Sequence, residues 1–212
     1  GPAVREPYNR TVQPWKGNPE EEQVDPPVIE RPEKRKVVCV LDGSGSMSDP
    51  PDILTALTSA SPAYLFTNQV GRSAIENGAE VYFVSYPLLR TLSGELVATP
   101  TVDSFEEAML KWASTSDNAG EVERMATFLF SEFNSRDWKA VDVVWSTDGG
   151  PTSYMKDFMA IMKRHRTAGN SDNYHFGNEE PAGVSNTLGT ELEAEGGHYH
   201  PFKDTDEALK EA

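Results

Sequence analysis

The chain has 212 residues and a mass of 23.4 kDa, enough for one domain with a substantial core and some excess. A hydrophobic content of 37%, an aromatic content of 9% and a mean hydropathy of -0.54 fit a globular protein and exclude a mostly membrane-embedded one. The formal charge of -15, from 34 acidic against 19 basic side chains, repels phosphate backbones and anionic lipid, so neither nucleic acid nor a membrane is an expected partner.

No apolar run approaches the ~18 residues of a spanning helix, and the N-terminus lacks a signal-peptide core. The lone Cys39 lies inside an apolar run, where it reads as a small core hydrophobe. A single thiol makes no intramolecular disulfide, and the expected setting is a reducing, cytoplasmic one.

Residues 1–36 carry Pro2, Pro7, Pro14, Pro19, Pro26, Pro27 and Pro32, a density incompatible with helices or central strands. This stretch is expected to be a Pro-rich arm or linker, with Gly1-Pro2 read as a cleavage scar. From Val37 to the end at 212, short apolar runs alternate with longer amphipathic ones, the mark of repeated βα units and a parallel sheet. Strands are expected at Val37–Asp42, Glu80–Tyr86, Val141–Thr147, Tyr174–Phe176 and His198–Phe202. Helices are expected at Ile53–Glu76, Ser104–Ala113, Glu121–Phe133, Ser153–Arg166, Ser185–Glu195 and Thr205–Glu211. The stretch between Tyr86 and Pro100 has room for a hairpin through Ser93-Gly94, which would add one antiparallel strand at the sheet edge. The expected fold is therefore a three-layer α/β/α, Rossmann-like open sheet of about six mostly parallel strands.

Val37–Leu41 and Val141–Trp145 are the most apolar strands, so both are expected mid-sheet with neighbouring carboxyl ends, where open α/β sheets form their ligand crevice. The first runs into Asp42-Gly43-Ser44-Gly45-Ser46-Met47 and the second into Thr147-Asp148-Gly149-Gly150. A carboxylate with hydroxyls two and four residues on, separated by glycines that permit a tight loop, is a set of hard oxygen ligands suited to magnesium or manganese. A third loop, Ser114-Thr115-Ser116-Asp117, offers a further hydroxyl.

These loops resemble the von Willebrand factor A domain and its metal-ion-dependent adhesion site, whose pattern is Asp-x-Ser-x-Ser on a first loop, Thr on a second and Asp on a third. Asp42, Ser44 and Ser46 match the first, and Asp148 in Thr-Asp-Gly matches the last. Thr115 is the choice for the middle ligand, with Thr99 and Thr101 as alternatives and the usual glycine-rich lead-in absent. Gly196-Gly197-His198-Tyr199-His200-Pro201-Phe202 followed by Asp206-Glu207-Ala208-Leu209 is also similar to the family's last strand and helix. The resemblance implies a Mg²⁺ site, with Mn²⁺ as a substitute, whose open position takes an Asp or Glu carboxylate from a partner protein. In an intracellular setting it points toward family members that serve multiprotein machines with AAA+ ATPases, such as metal chelatases. Such a module is not an enzyme.

Other chemistries fit less well. No Gly-Lys-Ser/Thr follows the first loop, so it is not a phosphate-binding P-loop, and Gly-x-Ser-x-Gly is not met around Ser44 or Ser46. The same Asp-Gly-Ser-Gly-Ser stretch also suits a plain polar turn with a serine N-cap. The rival from another class is a metal-dependent hydrolase using His198 and His200, which alternate onto one face of a strand; a further rival is a scaffold with a purely structural metal. His165 and His175 read as isolated and receive no role.

Overall fold

The computed structural model describes residues 33–42, 62–86, 95–110, 121–147, 152–178 and 187–201. Three strands with continuous apolar runs lie at or near the middle of the sheet: β1 (Lys36–Asp42), β2 (Glu80–Tyr86) and β4 (Val141–Thr147). β3 (Val97–Ala98), β5 (Asn173–Asn178) and β6 (His198–Pro201) complete a six-stranded sheet in the order β3-β2-β1-β4-β5-β6. Every pairing is parallel except that of β3 with β2, so the antiparallel strand expected near residues 86–100 is present at one edge. Its expected turn at Ser93-Gly94 lies outside the described residues.

The helices are α1 (Pro62–Glu76), α2 (Val102–Leu110), α3 (Glu121–Ser135), α4 (Thr152–His165) and α5 (Thr187–Ala194). Of the expected first helix, residues 53–61 lie outside the described residues, as do the Pro-rich arm up to residue 32 and the expected C-terminal helix Thr205–Glu211. α1 is described from Pro62 onward.

Strand alternation sorts the apolar side chains into two cores. Val38 and Val40 of β1 join Val143, Trp145, Met125, Leu129, Phe133, Phe158 and Met162, on the face covered by α3 and α4. Val37, Cys39 and Leu41 join Phe66, Val70, Phe83, Phe105 and Met109, on the face covered by α1 and α2. The architecture is thus α/β/α with β1 as the shared wall. On the α3/α4 side, Phe158 meets both Trp145 and Tyr174 edge-on, at centroid distances of 4.7 and 5.9 Å. Burial pushes the Cys39 thiol up to about 12, so it behaves as the core hydrophobe its position suggests.

The amino edge of the sheet is closed by a buried ion pair. Arg166, just past α4, donates from Nε to Asp172 Oδ2 at 2.6 Å and from Nη2 to Asp172 Oδ1 at 3.0 Å. Its remaining donors reach Asn134 Oδ1 at 2.9 Å and the Trp138 carbonyl at 2.8 Å. Asp172 in turn accepts from the Val141 amide and the Tyr174 hydroxyl, each at 3.1 Å. Both side chains are about as buried as the core, at 5% and 4% exposure, and such a pair is tolerated because its polar atoms are matched on every side. It binds the ends of α3 and α4 to the starts of β4 and β5.

α1 and α2 approach closely because Gly71 has no side chain. A Cβ built there would lie 2.1 Å from the ring of Phe105, itself fully buried and edge-on to Phe83 at 6.0 Å. In a helix Gly→Ala ordinarily gains up to about 1 kcal/mol, but an overpacked core loses about 1–3 kcal/mol, and here the second effect should win. Gly71→Ala is expected to lower the urea unfolding midpoint; a midpoint equal to or above the parent's would contradict the packing described.

Candidate functional site

The chain leaves β1 toward β2 on one side and returns to β4 on the other, so the strand order reverses between β1 and β4. In an open parallel sheet that reversal leaves a crevice at the carboxyl ends of the two strands. Leu41 pairs with Ser146, which brings Asp42, the last residue of β1, level with the end of β4 at Thr147. The parallel crossovers direct α3 and α4 antiparallel to the strands, which puts their first turns at the same edge. α2 follows the antiparallel β3 and runs back toward that edge. Leu110 and Glu121, the described residues that bracket 111–120, therefore both lie on the carboxyl side.

Asp42 is buried at 6% exposure, an unusual place for a carboxylate. Of the five expected metal ligands it alone is described; Ser44, Ser46, Thr115 and Asp148 lie outside the described residues. One position from the end of β4, the Ser146 side chain is completely buried, and its hydroxyl has no hydrogen-bond partner among the described residues. A buried orphan oxygen costs about 1–3 kcal/mol unless something satisfies it, and nothing in the periodicity of β4 distinguishes it from its core neighbours. A buried carboxylate and an orphan hydroxyl at neighbouring strand ends are compatible with a hard divalent cation.

The two alternatives for the middle ligand are both occupied locally. Thr99 is buried and donates its hydroxyl to the Val81 carbonyl at 2.6 Å, which fastens β3 to β2. Thr101 is the N-cap of α2: its Oγ1 accepts from the Ser104 amide at 3.0 Å, while Ser104 Oγ accepts from the Thr101 amide at 2.9 Å.

A second polar cluster lies on β5 and β6, on the same face of the sheet as Ser146. His175 alternates with the core residues Tyr174 and Phe176 and so faces the α1 side of the sheet, in register with Val144 on one neighbour and His198 on the other. His200 falls on the same face, and its Nε2 is 3.0 Å from His175 Nδ1. The His175 ring stacks on His198 and His200 at centroid distances of 4.8 and 5.3 Å. His175 thus joins the pair that the sequence singled out, although its own strand gave no sign of it; only the β5–β6 register reveals the meeting. Among the described residues, no group of three His, Cys, Asp or Glu side chains is arranged to hold a metal. Burial, then the imidazoles of His200 and His198, push His175 down to about 4; the Asp142 carboxylate opposes this and the Arg35 guanidinium adds to it. His165, by contrast, stacks on Phe130 at 4.8 Å on the outside of α3 and α4.

No protein-family model and no curated protein matches the sequence. Among solved structures, the chain is similar to a von Willebrand factor type A protein from Catenulispora acidiphila, with 15% identity and a TM-score of 0.51. That match covers 84% of this chain and 41% of the other, so the chain spans less than half the length of the structure it resembles. A monomethylamine corrinoid protein from Methanosarcina barkeri is matched at 15% identity and a TM-score of 0.35, over 84% of this chain and 58% of that one. The first comparison and the sheet order together make the fold von Willebrand factor A-like.

Ser146→Ala removes the orphan hydroxyl without creating a large void. In EDTA, its unfolding free energy is expected to equal the parent's or exceed it by about 1 kcal/mol. A loss greater than about 1 kcal/mol, measured by urea denaturation, would mean that the hydroxyl already has a partner in the metal-free protein.

Proposed function

We propose that the chain is a Mg²⁺-dependent protein-interaction module, with the ion held by Asp42, Ser44, Ser46, Thr115 and Asp148. The observation that carries the reading is the placement of Asp42: a buried carboxylate ending a central strand, beside the end of β4, at the point where the strand order reverses. When bound, a divalent ion at this edge supplies an electrophilic position that a carboxylate oxygen can fill. The chain's part is to hold oxygen donors on rigid strand ends and to present an otherwise acidic surface. With a formal charge of -15, an acidic partner would be repelled everywhere except where a cation is held, so the partner's Asp or Glu is directed to one place.

Among modules with this fold pattern, the reading extends to a role in a cytoplasmic multiprotein machine served by an AAA+ ATPase. The chain is read as non-enzymatic. A hydrolase built on His198 and His200 is less favoured, because His200 Nε2 is engaged with His175 Nδ1 and the His175 ring stacks on both of the others.

Mg²⁺ at ten times its dissociation constant should stabilise the fold by about 1.4 kcal/mol. Asp42→Ala should remove that increment, and with it Mg²⁺-dependent capture of a partner from native lysate, while leaving the far-ultraviolet circular dichroism unchanged. Capture that persists both in EDTA and in Asp42→Ala would sink the proposal. A stabilising Mg²⁺ effect without any Mg²⁺-dependent capture would favour the purely structural metal.

A further inference from the structure

We propose that β6 is a pH-operated latch: protonation of the buried His175–His200 pair frees His198–Pro201 from β5 while the central strands stay folded. The inference does not rest on the metal reading, since it uses only the contacts of the β5–β6 junction.

Three features of the fold converge on it. Among the described residues, β6 is an edge strand of four residues, paired to the sheet through β5. The chain has four histidines, and three of them meet at this one junction. His175 and His200 are buried, so charge placed on them is poorly solvated.

The chemistry of the pair makes the response abrupt. With both rings neutral, one of His175 Nδ1 and His200 Nε2 donates across 3.0 Å and the other accepts. One added proton still leaves a donor facing an acceptor. A second turns both nitrogens into donors, so the bond is lost and two like charges are held face to face. Among the described residues, the groups whose fields act on His175 are Asp142 from β4 and Arg35 from the segment ahead of β1, together with His198 and His200 from β6. Asp142 raises the proton affinity of His175 and Arg35 lowers it, and the two are ion-paired with each other, while Asn173 donates to Asp142 at 3.1 Å.

On the other face, Tyr199 lies over Gly189 of α5, and Gly197 lies against Met159 and Phe176. His175 is held down to about 4 against an ordinary value of 6.5. A folded value below the released one means that the closed form is fully favoured above 6.5 and loses its advantage as the pH falls toward 4. For His175 alone these two values favour release by about 30-fold at pH 5.

The test is hydrogen exchange of the whole chain, followed by NMR and corrected for intrinsic rates, at pH 7.5 and pH 5. Protection of the Tyr199 and His200 amides is expected to fall by about 30-fold relative to that of Cys39 and Val143. His200→Gln keeps a hydrogen-bonding side chain that cannot be protonated and should blunt the fall; His198→Gln removes an imidazole that opposes protonation of His175 and should blunt it less. Constant protection in β6 would overturn the latch, as would a fall shared equally by β1 and β4, or a fall undiminished in both variants.

Discussion

β1 is the constraint on which the rest of the fold depends. Val37 through Leu41 have no exposed surface, alternate between two separate cores and are paired along both edges of the strand. Each large apolar side chain so buried contributes about 1.5–3 kcal/mol. The last residue of the strand is Asp42, itself buried and level with the Thr147 end of β4.

The two edges of the sheet are built on opposite logics. At the amino edge, Arg166, Asp172, Asn134 and Tyr174 match donor to acceptor, and the result is a clamp between helices and strands. At the carboxyl edge, Asp42 is a buried carboxylate and the Ser146 hydroxyl has no hydrogen-bond partner among the described residues. Polar atoms satisfied internally hold a structure together, whereas an orphan hydroxyl close to a strand end is suited to something outside it.

Most of the layer pattern was legible in the sequence because strand and helix periods differ and the apolar runs are sharply bounded. β2 and β4 have the expected bounds, β1 gains one residue, and the stripes Met125, Leu129, Phe133 and Phe158, Met159, Met162 face the core as their spacing requires. What spacing does not carry is register. His175 reads as solitary within Tyr174-His175-Phe176, and its neighbours come from a strand more than twenty residues on. The Arg166–Asp172 pair is short in sequence, yet its role depends on Asn134 and Trp138 from another helix and turn. Thr99 and Thr101 illustrate the same limit, since a hydroxyl's duty is fixed by the carbonyl or amide it meets, not by its motif. For the candidate metal site, the motif Asp42-x-Ser44-x-Ser46 and Asp148 was readable, and the fold adds the meeting of their two strands.

The central claim is that the divalent cation sits where β1 and β4 end together. Substoichiometric Mn²⁺ added to the isotopically labelled chain tests this directly, because the paramagnetic ion broadens nearby amide signals. The signals of Leu41, Asp42, Ser146 and Thr147 should broaden first and recover on addition of excess Mg²⁺. Broadening that begins at His175 and His200, or is spread evenly over the acidic surface, would contradict it.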